Sequence, residues 1–165
     1  MELRFAKNGN VMIDDVRLIW KNFEGRKEVY NEKDKRNFTF VIPNLELANE
    51  LINDVNQYGK GWNVRIKDPE EPGGDPFITM KVNVSFTGRG PNVYLISGNN
   101  RVKLDEESIG MLDNIRLASA SFDIRPYDDV GRFGPFRSAY LVAMEVTQEL
   151  DRFEAQYAEE EYPCE

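Results

Sequence analysis

A strict alternation of apolar and polar residues from 77 to 86 constrains the fold more than any other feature of this chain. One side of the pattern is apolar: Ile78, Met80, Val82, Val84 and Phe86. The other side is polar except for its first residue: Phe77, Thr79, Lys81, Asn83 and Ser85. Successive side chains of a β-strand point to opposite faces of a sheet, so this segment predicts a strand that covers a hydrophobic core. Weaker patterns of the same kind predict further strands at 11–20, 37–43, 62–67, 93–96, 114–124 and 138–147.

One segment has helical spacing instead. Its apolar residues repeat at i, i+3 and i+4: Leu45, Ala48, Leu51, Ile52 and Val55. This spacing predicts a single amphipathic helix that ends near Gly59, with Asn44 as its N-cap. Residues 105–111 predict at most two further helical turns.

Many strands, one helix in the first half and long polar loops together predict a mainly β fold. We expect an OB-fold-like, closed Greek-key β-barrel with one bridging α-helix. Residues 23–35 are interpreted as a long β-hairpin arm, and the Gly-rich residues 128–137 as a loop. An immunoglobulin-like sandwich is the alternative, which the helix and the absence of a cysteine pair disfavour. We expect a folded domain at 1–148 and a disordered acidic C-terminal tail at 149–165.

Composition excludes several kinds of catalytic site. The chain has no histidine and a single cysteine, Cys164. Histidine-based triads, imidazole bases and the usual zinc sites are therefore excluded. The carboxylate pairs are not spaced as a known metal-binding loop, so a carboxylate-metal nuclease is the least favoured function. We expect no enzyme activity and no cofactor.

The chain also lacks the usual signals for a membrane or an export route. No apolar run reaches the ~18–20 residues that a membrane-spanning helix needs. The first residues do not have the pattern of a signal peptide, and a lone cysteine suits a reducing compartment. We expect a cytoplasmic protein with no membrane partner.

Charge is distributed unevenly along the chain. Residues 149–165 contribute −6 of the formal net charge of −8, whereas residues 16–40 carry a net +3 with aromatic residues interleaved. Proteins that bind single-stranded nucleic acid need cations for the phosphates and flat rings for the unstacked bases. The sequence offers these candidates for phosphates and bases: Arg17, Trp20, Lys21, Phe23, Arg26, Lys27, Tyr30, Lys33, Lys35, Arg36, Lys81, Arg116 and Phe133.

Core positions compete with this interpretation for some aromatic residues. Taken one at a time, Trp20, Phe38 and Phe40 fit the hydrophobic core better than the surface, although Trp20 is kept as a stacking candidate. The Gly-rich residues 127–136 repeat the mixture of rings and cations around Phe133. They predict either a second binding loop or a hairpin that caps one end of the barrel.

The acidic tail allows two interpretations beyond a solvated chain end. Its aromatic residues make it a candidate recognition element for partner proteins, centred on Glu159, Glu160, Glu161 and Tyr162. The same segment is also a candidate competitor for the basic surface, displaced when nucleic acid binds.

Short motifs in the first half resemble those of a known family. The residues are Lys21-Asn22-Phe23-Glu24-Gly25, Tyr30-Asn31 and Arg36-Asn37-Phe38, with further matches at Gly61-Trp62-Asn63-Val64 and Ile124-Arg125-Pro126-Tyr127. The chain resembles the single-stranded DNA-binding proteins of tailed bacteriophages, which are small OB-fold proteins with an acidic C-terminus. The tails of such proteins often end in an aromatic residue, and this one departs by ending at Glu165.

The resemblance implies a protein that binds and protects single-stranded DNA without sequence preference in the host cytoplasm. It also implies that the tail engages replication and recombination proteins. An acidic DNA mimic or protein-interaction module is the main alternative, and a homodimer stays open.

Overall fold

The computed structural model describes residues 1–29 and 31–150, and these are mainly β with one α-helix, as predicted. The described strands are β1 (Glu2–Phe5), β2 (Val11–Val16), β3 (Leu18–Asn22), β4 (Arg36–Ile42), β5 (Val64–Lys67), β6 (Phe77–Val84), β7 (Asn92–Ser97), β8 (Asn100–Leu104), β9 (Leu117–Gly131) and β10 (Gly134–Gln148). Helix α1 is Leu45–Ile52, and a 3₁₀ helix, Ile109–Asp113, precedes β9. Within the described ranges, no helix has the length and apolar character needed to span a bilayer.

The strands form one sheet in the order β1-β2-β9-β10-β6-β4-β3. In addition, β5 pairs with β6, β7 pairs with β10, and β8 pairs with β7. Among the described strands, hydrogen bonds do not close this sheet, since the strands at its two ends do not pair with each other. However, β2 and β3 are separated only by Arg17, whose carbonyl accepts a hydrogen bond from Val41 N at 3.1 Å. One stretch of chain therefore pairs with β9 through β2 and with β4 through β3. The described sheet is therefore open and lacks the strand-paired closure expected of the predicted barrel, and the continuous chain through Arg17 joins β2 to β3.

The hydrophobic core lies on the side of the sheet that the alternation of β6 predicts. Phe38 and Phe40 of β4 are fully buried, as expected, and each ring meets Phe122 edge to face at 5.3 and 5.2 Å. Phe23 stacks on Phe38 at a centroid distance of 5.3 Å. Aromatic pairs of this kind stabilise a core beyond the area that they bury.

Helix α1 begins where predicted and ends earlier. The Asn44 side chain accepts a hydrogen bond from Leu47 N at 2.9 Å, which caps the helix. The helix stops at Ile52 because the chain turns back against it. A Cβ on Gly61 would lie 1.9 Å from the Ile52 carbonyl oxygen, so only glycine fits beside the last turn. Val55 is consequently exposed and outside the helix.

The predicted hairpin arm at 23–35 and the predicted Gly-rich loop at 128–137 both differ from expectation. Residues 23–35 join the antiparallel strands β3 and β4 but contain one isolated bridge, Glu28–Asn31, among the described residues. The long two-stranded hairpin of the structure is β9–β10, with Arg132 and Phe133 at its tip. The predicted Gly-rich loop at 128–137 is therefore the paired end of this hairpin.

Candidate nucleic-acid interface

The side chains of β3–β6 that point away from the core form a surface that we call the outer face. On β6 these are Phe77, Thr79, Lys81 and Asn83, the set that the alternation predicts. Residues opposite each other in a sheet point the same way, so the neighbouring strands extend this surface. The partners of these β6 residues on β4 and β5 are Asn37, Thr39, Val41, Arg65 and Lys67.

Trp20 and Phe77 form an aromatic pair on the outer face. Their ring centroids are 6.0 Å apart in an edge-to-face arrangement, although β4 lies between their strands. Trp20 is 64% exposed, and its φ of 47° places it in the left-handed region where the β3–β4 register shifts. The expected core position of Trp20 is therefore wrong, because this bulge interrupts the alternation of the strand.

A second aromatic group lies on the β9–β10 hairpin. The Tyr127 ring is 6.0 Å from that of Phe136 and 5.9 Å from that of Tyr140. The Arg125 guanidinium lies 5.1 Å from the centroid of Tyr140. Because Tyr140 pairs with Asn83 of β6, this group adjoins the outer face. We call Tyr127, Phe136 and Tyr140 the hairpin aromatics.

Arg137 fixes the hairpin to the connection between α1 and β5. It is buried, and its guanidinium donates hydrogen bonds to both carboxylate oxygens of Asp128 at 2.9 and 3.2 Å and to the Asp54 carbonyl at 2.9 Å. The same guanidinium lies 5.3 Å from the centroid of Trp62. Burial raises the pKa of Asp128, but hydrogen bonds from Arg137 and Asn56 and the Arg137 charge outweigh it, and the net pKa lies below its ordinary value. These contacts make Arg137 an internal anchor of the hairpin.

The tip of the hairpin exposes a single ring. Phe133 is 97% exposed, and the Arg132 guanidinium lies 5.6 Å from its centroid. Because the β9–β10 pairing continues to Gly131 and Gly134, this ring stands at the end of a hydrogen-bonded ribbon.

Exposed cations dominate the outer face and the adjoining part of the hairpin. They are Arg17, Arg65, Lys67, Lys81 and Arg125. Among the described residues, this surface contains one acidic side chain, that of Asp129. Its carboxylate accepts a hydrogen bond from the Tyr127 hydroxyl at 3.3 Å. The Asp129 charge raises the pKa of Tyr127 above its ordinary value. The surface thus combines flat rings with a net positive charge.

Several residues predicted from the sequence lie on or beside this surface. Arg17, Trp20 and Lys81 are on the outer face, and Phe133 is at the hairpin tip. Lys27, Lys33 and Lys35 are exposed in the segment 23–35, which borders the outer face at Asn37.

Phe23 is not on the surface. It is 0% exposed, and Phe38 covers one of its faces, so no base has access to the ring. The predicted stacking role of Phe23 is corrected to a core role. Its position in a polar, charged stretch misled the sequence interpretation, because the atoms that bury it come from other parts of the chain.

Three predicted cations have partners within the protein, although the Arg26 side chain stays 48% exposed. Lys21 Nζ donates to the carbonyls of Leu112 and Ile115, both at 2.7 Å, and burial lowers the pKa of Lys21 while the Asp113 charge opposes this. Arg36 donates to the Phe23 carbonyl at 2.7 Å. The third cation, Arg26, lies within 4.0 Å of three carboxylates, those of Glu24, Glu28 and Asp113.

The remaining predictions lie away from the surface or outside the described residues. Arg116 is exposed, but it precedes β9 at the end opposite the hairpin tip. Tyr30 and the tail residues Glu159, Glu160, Glu161 and Tyr162 lie outside the described residues.

Five members of the surface were not predicted from the sequence: Arg65, Lys67, Phe77, Arg125 and Tyr140. A signal existed for Phe77, which shares a side of the alternation with Lys81. Arg65 and Lys67 likewise alternate with Val64 and Ile66. For Arg125 and Tyr140 the decisive information is strand pairing across distant parts of the chain.

The profile of one protein family matches residues 2–163, almost the whole chain, and the family is described as "Putative phage ssDNA-binding domain". The chain belongs to this family. The resemblance to phage single-stranded DNA-binding proteins is therefore confirmed. A comparison of this chain with curated proteins found no match.

Solved structures of the single-stranded DNA-binding protein from bacteriophage Enc34 have a similar fold. The structure of that protein in complex with ssDNA is 17% identical, with a TM-score of 0.59, and the match covers 92% of this chain and 93% of that one. Its C-terminal truncation is 17% identical with a TM-score of 0.56, covering 90% and 91%. A third structure is 18% identical with a TM-score of 0.56, covering 93% of each chain. At these identities the likeness establishes a shared fold.

Within residues 1–29 and 31–150, no three His, Cys, Asp or Glu side chains are placed to hold a metal ion. The Asp128 carboxylate is engaged with Arg137.

Proposed function

We propose that this phage ssDNA-binding domain binds single-stranded DNA without sequence preference across the outer face and the hairpin aromatics. The observation that carries the proposal is the arrangement of two ring clusters, Trp20–Phe77 and Tyr127–Phe136–Tyr140, on one cationic surface that includes Lys81. Rings receive the faces of bases, and the cations between them neutralise phosphates. Stacking accepts every base, because all four present a flat π-face, so this surface does not select a sequence.

The same arrangement favours single strands over duplex DNA. Bases in a duplex are stacked on each other, and their faces are not available to Trp20 or Tyr127. Each base stacked on a ring contributes roughly 1–3 kcal/mol, which a duplex forfeits unless it melts. Phosphate contacts remain for both forms and weaken with salt.

The comparisons support this proposal. The family is described by its ssDNA binding, and a protein of the same fold has been solved with ssDNA. A DNA mimic, by contrast, needs acids spread along its folded surface, whereas here the outer face is cationic and acids are concentrated at 149–165. We propose a non-enzymatic role in which the protein covers exposed DNA strands during phage replication and recombination in the cytoplasm of the host.

The acidic segment is the second part of the proposal. Strand β10 ends at Gln148, and the next residue, Glu149, donates its N–H to the Arg116 carbonyl at 2.8 Å. We propose that residues 1–148 form the binding domain and that 149–165 is a separate acidic tail. The tail competes with DNA for the cationic surface and offers Glu159, Glu160, Glu161 and Tyr162 to replication or recombination proteins.

Fluorescence anisotropy with labelled oligo-dT tests the binding proposal. We expect low- to sub-micromolar affinity that falls steeply with salt, and much weaker binding to a duplex of equal length. The double variant W20A/K81E should bind oligo-dT at least ~100-fold more weakly, because it loses one ring and reverses one charge. Equal affinity for the duplex, or a double variant that binds like the parent protein, would refute the proposed surface.

A further inference from the structure

The family motif at residues 22–38 forms a network of hydrogen bonds that folds one loop. Asn22 is buried in the core of this loop. Its Oδ1 accepts hydrogen bonds from Gly25 N at 3.0 Å and Arg26 N at 2.9 Å, and its Nδ2 donates to the Arg26 carbonyl at 2.9 Å. Gly25 has a φ of 78°, and a Cβ there would lie 3.1 Å from the Asp34 Cα. Asn22 and Gly25 together therefore shape the first turn of the loop.

Asn31 holds the middle of the same loop. Its Nδ2 lies 2.9 Å from each of three carbonyl oxygens, those of Arg26, Glu32 and Lys35, which share its two N–H groups. Its Oδ1 accepts a hydrogen bond from Asn37 Nδ2 at 2.7 Å. One side chain thus joins both ends of the segment 26–35 to strand β4.

Asp113 of the 3₁₀ helix binds the backbone at the start of the loop. The Asp113 side chain is 1% exposed, and its carboxylate accepts hydrogen bonds from Phe23 N at 2.8 Å and Glu24 N at 3.0 Å. The Arg26 guanidinium lies 3.7 Å from the same carboxylate. A buried carboxylate with two backbone donors and a cation is satisfied within the protein and is not free to interact with a ligand.

We propose that Asn31 and Asp113 are positioning residues for DNA binding: they hold residues 23–29 and 31–35 in one conformation that presents Lys27, Lys33 and Lys35 beside the outer face. The motif residues Asn22 and Arg36 build this loop and do not contact DNA. The part of the inference that concerns DNA rests on the function proposed above, whereas the part that concerns the loop does not.

The position of the loop explains how it acts on the outer face. Asn37, which Asn31 holds, pairs with Asn83 on that face. The loop therefore borders the outer face at Asn83, the β6 residue that also pairs with Tyr140 of the hairpin. It adds three lysines at this edge, although the four acids within 23–35 leave that segment without a net positive charge. A loop that is already ordered does not pay the entropic cost of ordering when DNA binds, so its cations contribute more to affinity.

The test compares N31A and D113N with the charge variant K33Q/K35Q. Asn99, which is exposed in the β7–β8 turn, provides the matched control N99A. The first readout is the rate of trypsin cleavage within 26–36 of the free protein, checked against thermal unfolding of the whole domain. The second readout is oligo-dT affinity over a series of salt concentrations.

We expect trypsin to cleave N31A and D113N faster than the parent protein and N99A. Thermal unfolding should show that both variants are still folded at the temperature of the cleavage experiment. We expect both to bind oligo-dT about tenfold more weakly with an unchanged salt dependence, because the cations are still present but no longer positioned. K33Q/K35Q should instead lower the slope of log K against log salt by about 0.7 for each phosphate that the protein no longer neutralises.

Each outcome separates the two parts of the inference. Cleavage at the parent rate in both variants would overturn the role of Asn31 and Asp113 in the loop, whatever happens to DNA binding. Faster cleavage with unchanged oligo-dT affinity would overturn their role in positioning the lysines. A parent protein that does not bind oligo-dT would refute the proposed function, and the cleavage result would still decide the loop. If N31A alone unfolds the domain, D113N decides both points, because it lies outside the loop and removes no trypsin site.

Discussion

The rings of Trp20 and Phe77 meet edge to face at 6.0 Å across strand β4, on the side of the sheet that faces away from the core. Thr39 and Thr79 point to the same side of the sheet and are nevertheless buried. The Trp20–Phe77 pair therefore forms a raised aromatic feature on an otherwise polar, cationic face. Its exposure and its edge-to-face geometry leave ring surface free for a base.

We predict that W20A and F77A each weaken oligo-dT binding by roughly 1–3 kcal/mol, the contribution of one stacked base. Anisotropy titration at a fixed salt concentration measures the loss. F5A is the matched control, because Phe5 is also exposed but lies on β1, away from the outer face. Weakening of the same size in F5A would show that the effect is not specific to stacking on this face.

Intrinsic fluorescence should report DNA binding through one tryptophan. Trp20 is exposed, whereas Trp62 is buried beneath Arg137. We expect oligo-dT to quench part of the emission of the parent protein, because a stacked base contacts the Trp20 indole. The quenching should disappear in W20F and persist in W62F. Quenching that survives in W20F would place the DNA elsewhere.

Charge reversal at the centre of the outer face should weaken binding in a salt-dependent way. We predict that K81E binds oligo-dT about tenfold more weakly near 50 mM salt, and that the difference shrinks as salt rises. K103E is the control, since Lys103 is equally a strand lysine but lies on β8. Similar losses in both variants would indicate a general effect of net charge and not a local phosphate contact.

Removal of residues 149–165 should strengthen DNA binding. The segment carries a net charge of −6, and a polyanion on the same chain competes with DNA at a high effective concentration. We expect the 1–148 chain to bind oligo-dT more tightly than the full chain, with the largest gain at low salt. Replacement of the tail by a neutral Gly/Ser segment of equal length is the control. Affinity that does not change on truncation would refute the competition by the tail.

Acid should loosen the hairpin through Asp128. Its pKa in the folded protein lies below the ordinary value, so the ionised carboxylate stabilises the folded state above the unfolded-state pKa of about 4. This stabilisation is lost as the pH falls through the folded-state pKa. Thermal unfolding from pH 6 to pH 2.5 should therefore show a smaller loss of stability for D128N than for the parent protein. D75N, in the exposed loop before β6, should retain the parent profile, and parallel curves for D128N and the parent would contradict the role of the ion pair.

Some parts of the candidate site can be predicted from the sequence, and others cannot. The face of β6 that carries Lys81 follows from alternation alone, because the period of a strand is a local property. The Asn44 cap is local in the same sense, since the capping bond reaches only three residues along the chain. Tyr127 and Phe136 stand out in the sequence as part of a ring-rich, Gly-rich segment, but their placement beside β6 depends on the pairing of Tyr140 with Asn83.

The roles of the loop residues are the hardest to predict. Arg26 and Arg36 look identical to Lys33 and Lys35 in a list of charges, and only their partners separate anchors from free cations. Those partners, Asp113 and the Phe23 carbonyl, are supplied by the tertiary structure. The motif identifies the family correctly, whereas the structure gives several of its residues a role in folding the loop.

The sequence by itself determined the mainly β class, the single capped helix, the faces of the central strand and the family, because these depend on spacing along the chain and on motif residues. The tertiary structure decided which rings are free: it buried Phe23 against Phe38 and left Trp20 on the outer face beside Phe77. The physical reason is that exposure depends on neighbours brought together by long-range strand pairing, and a left-handed residue at a bulge overrides the alternation that the sequence suggests.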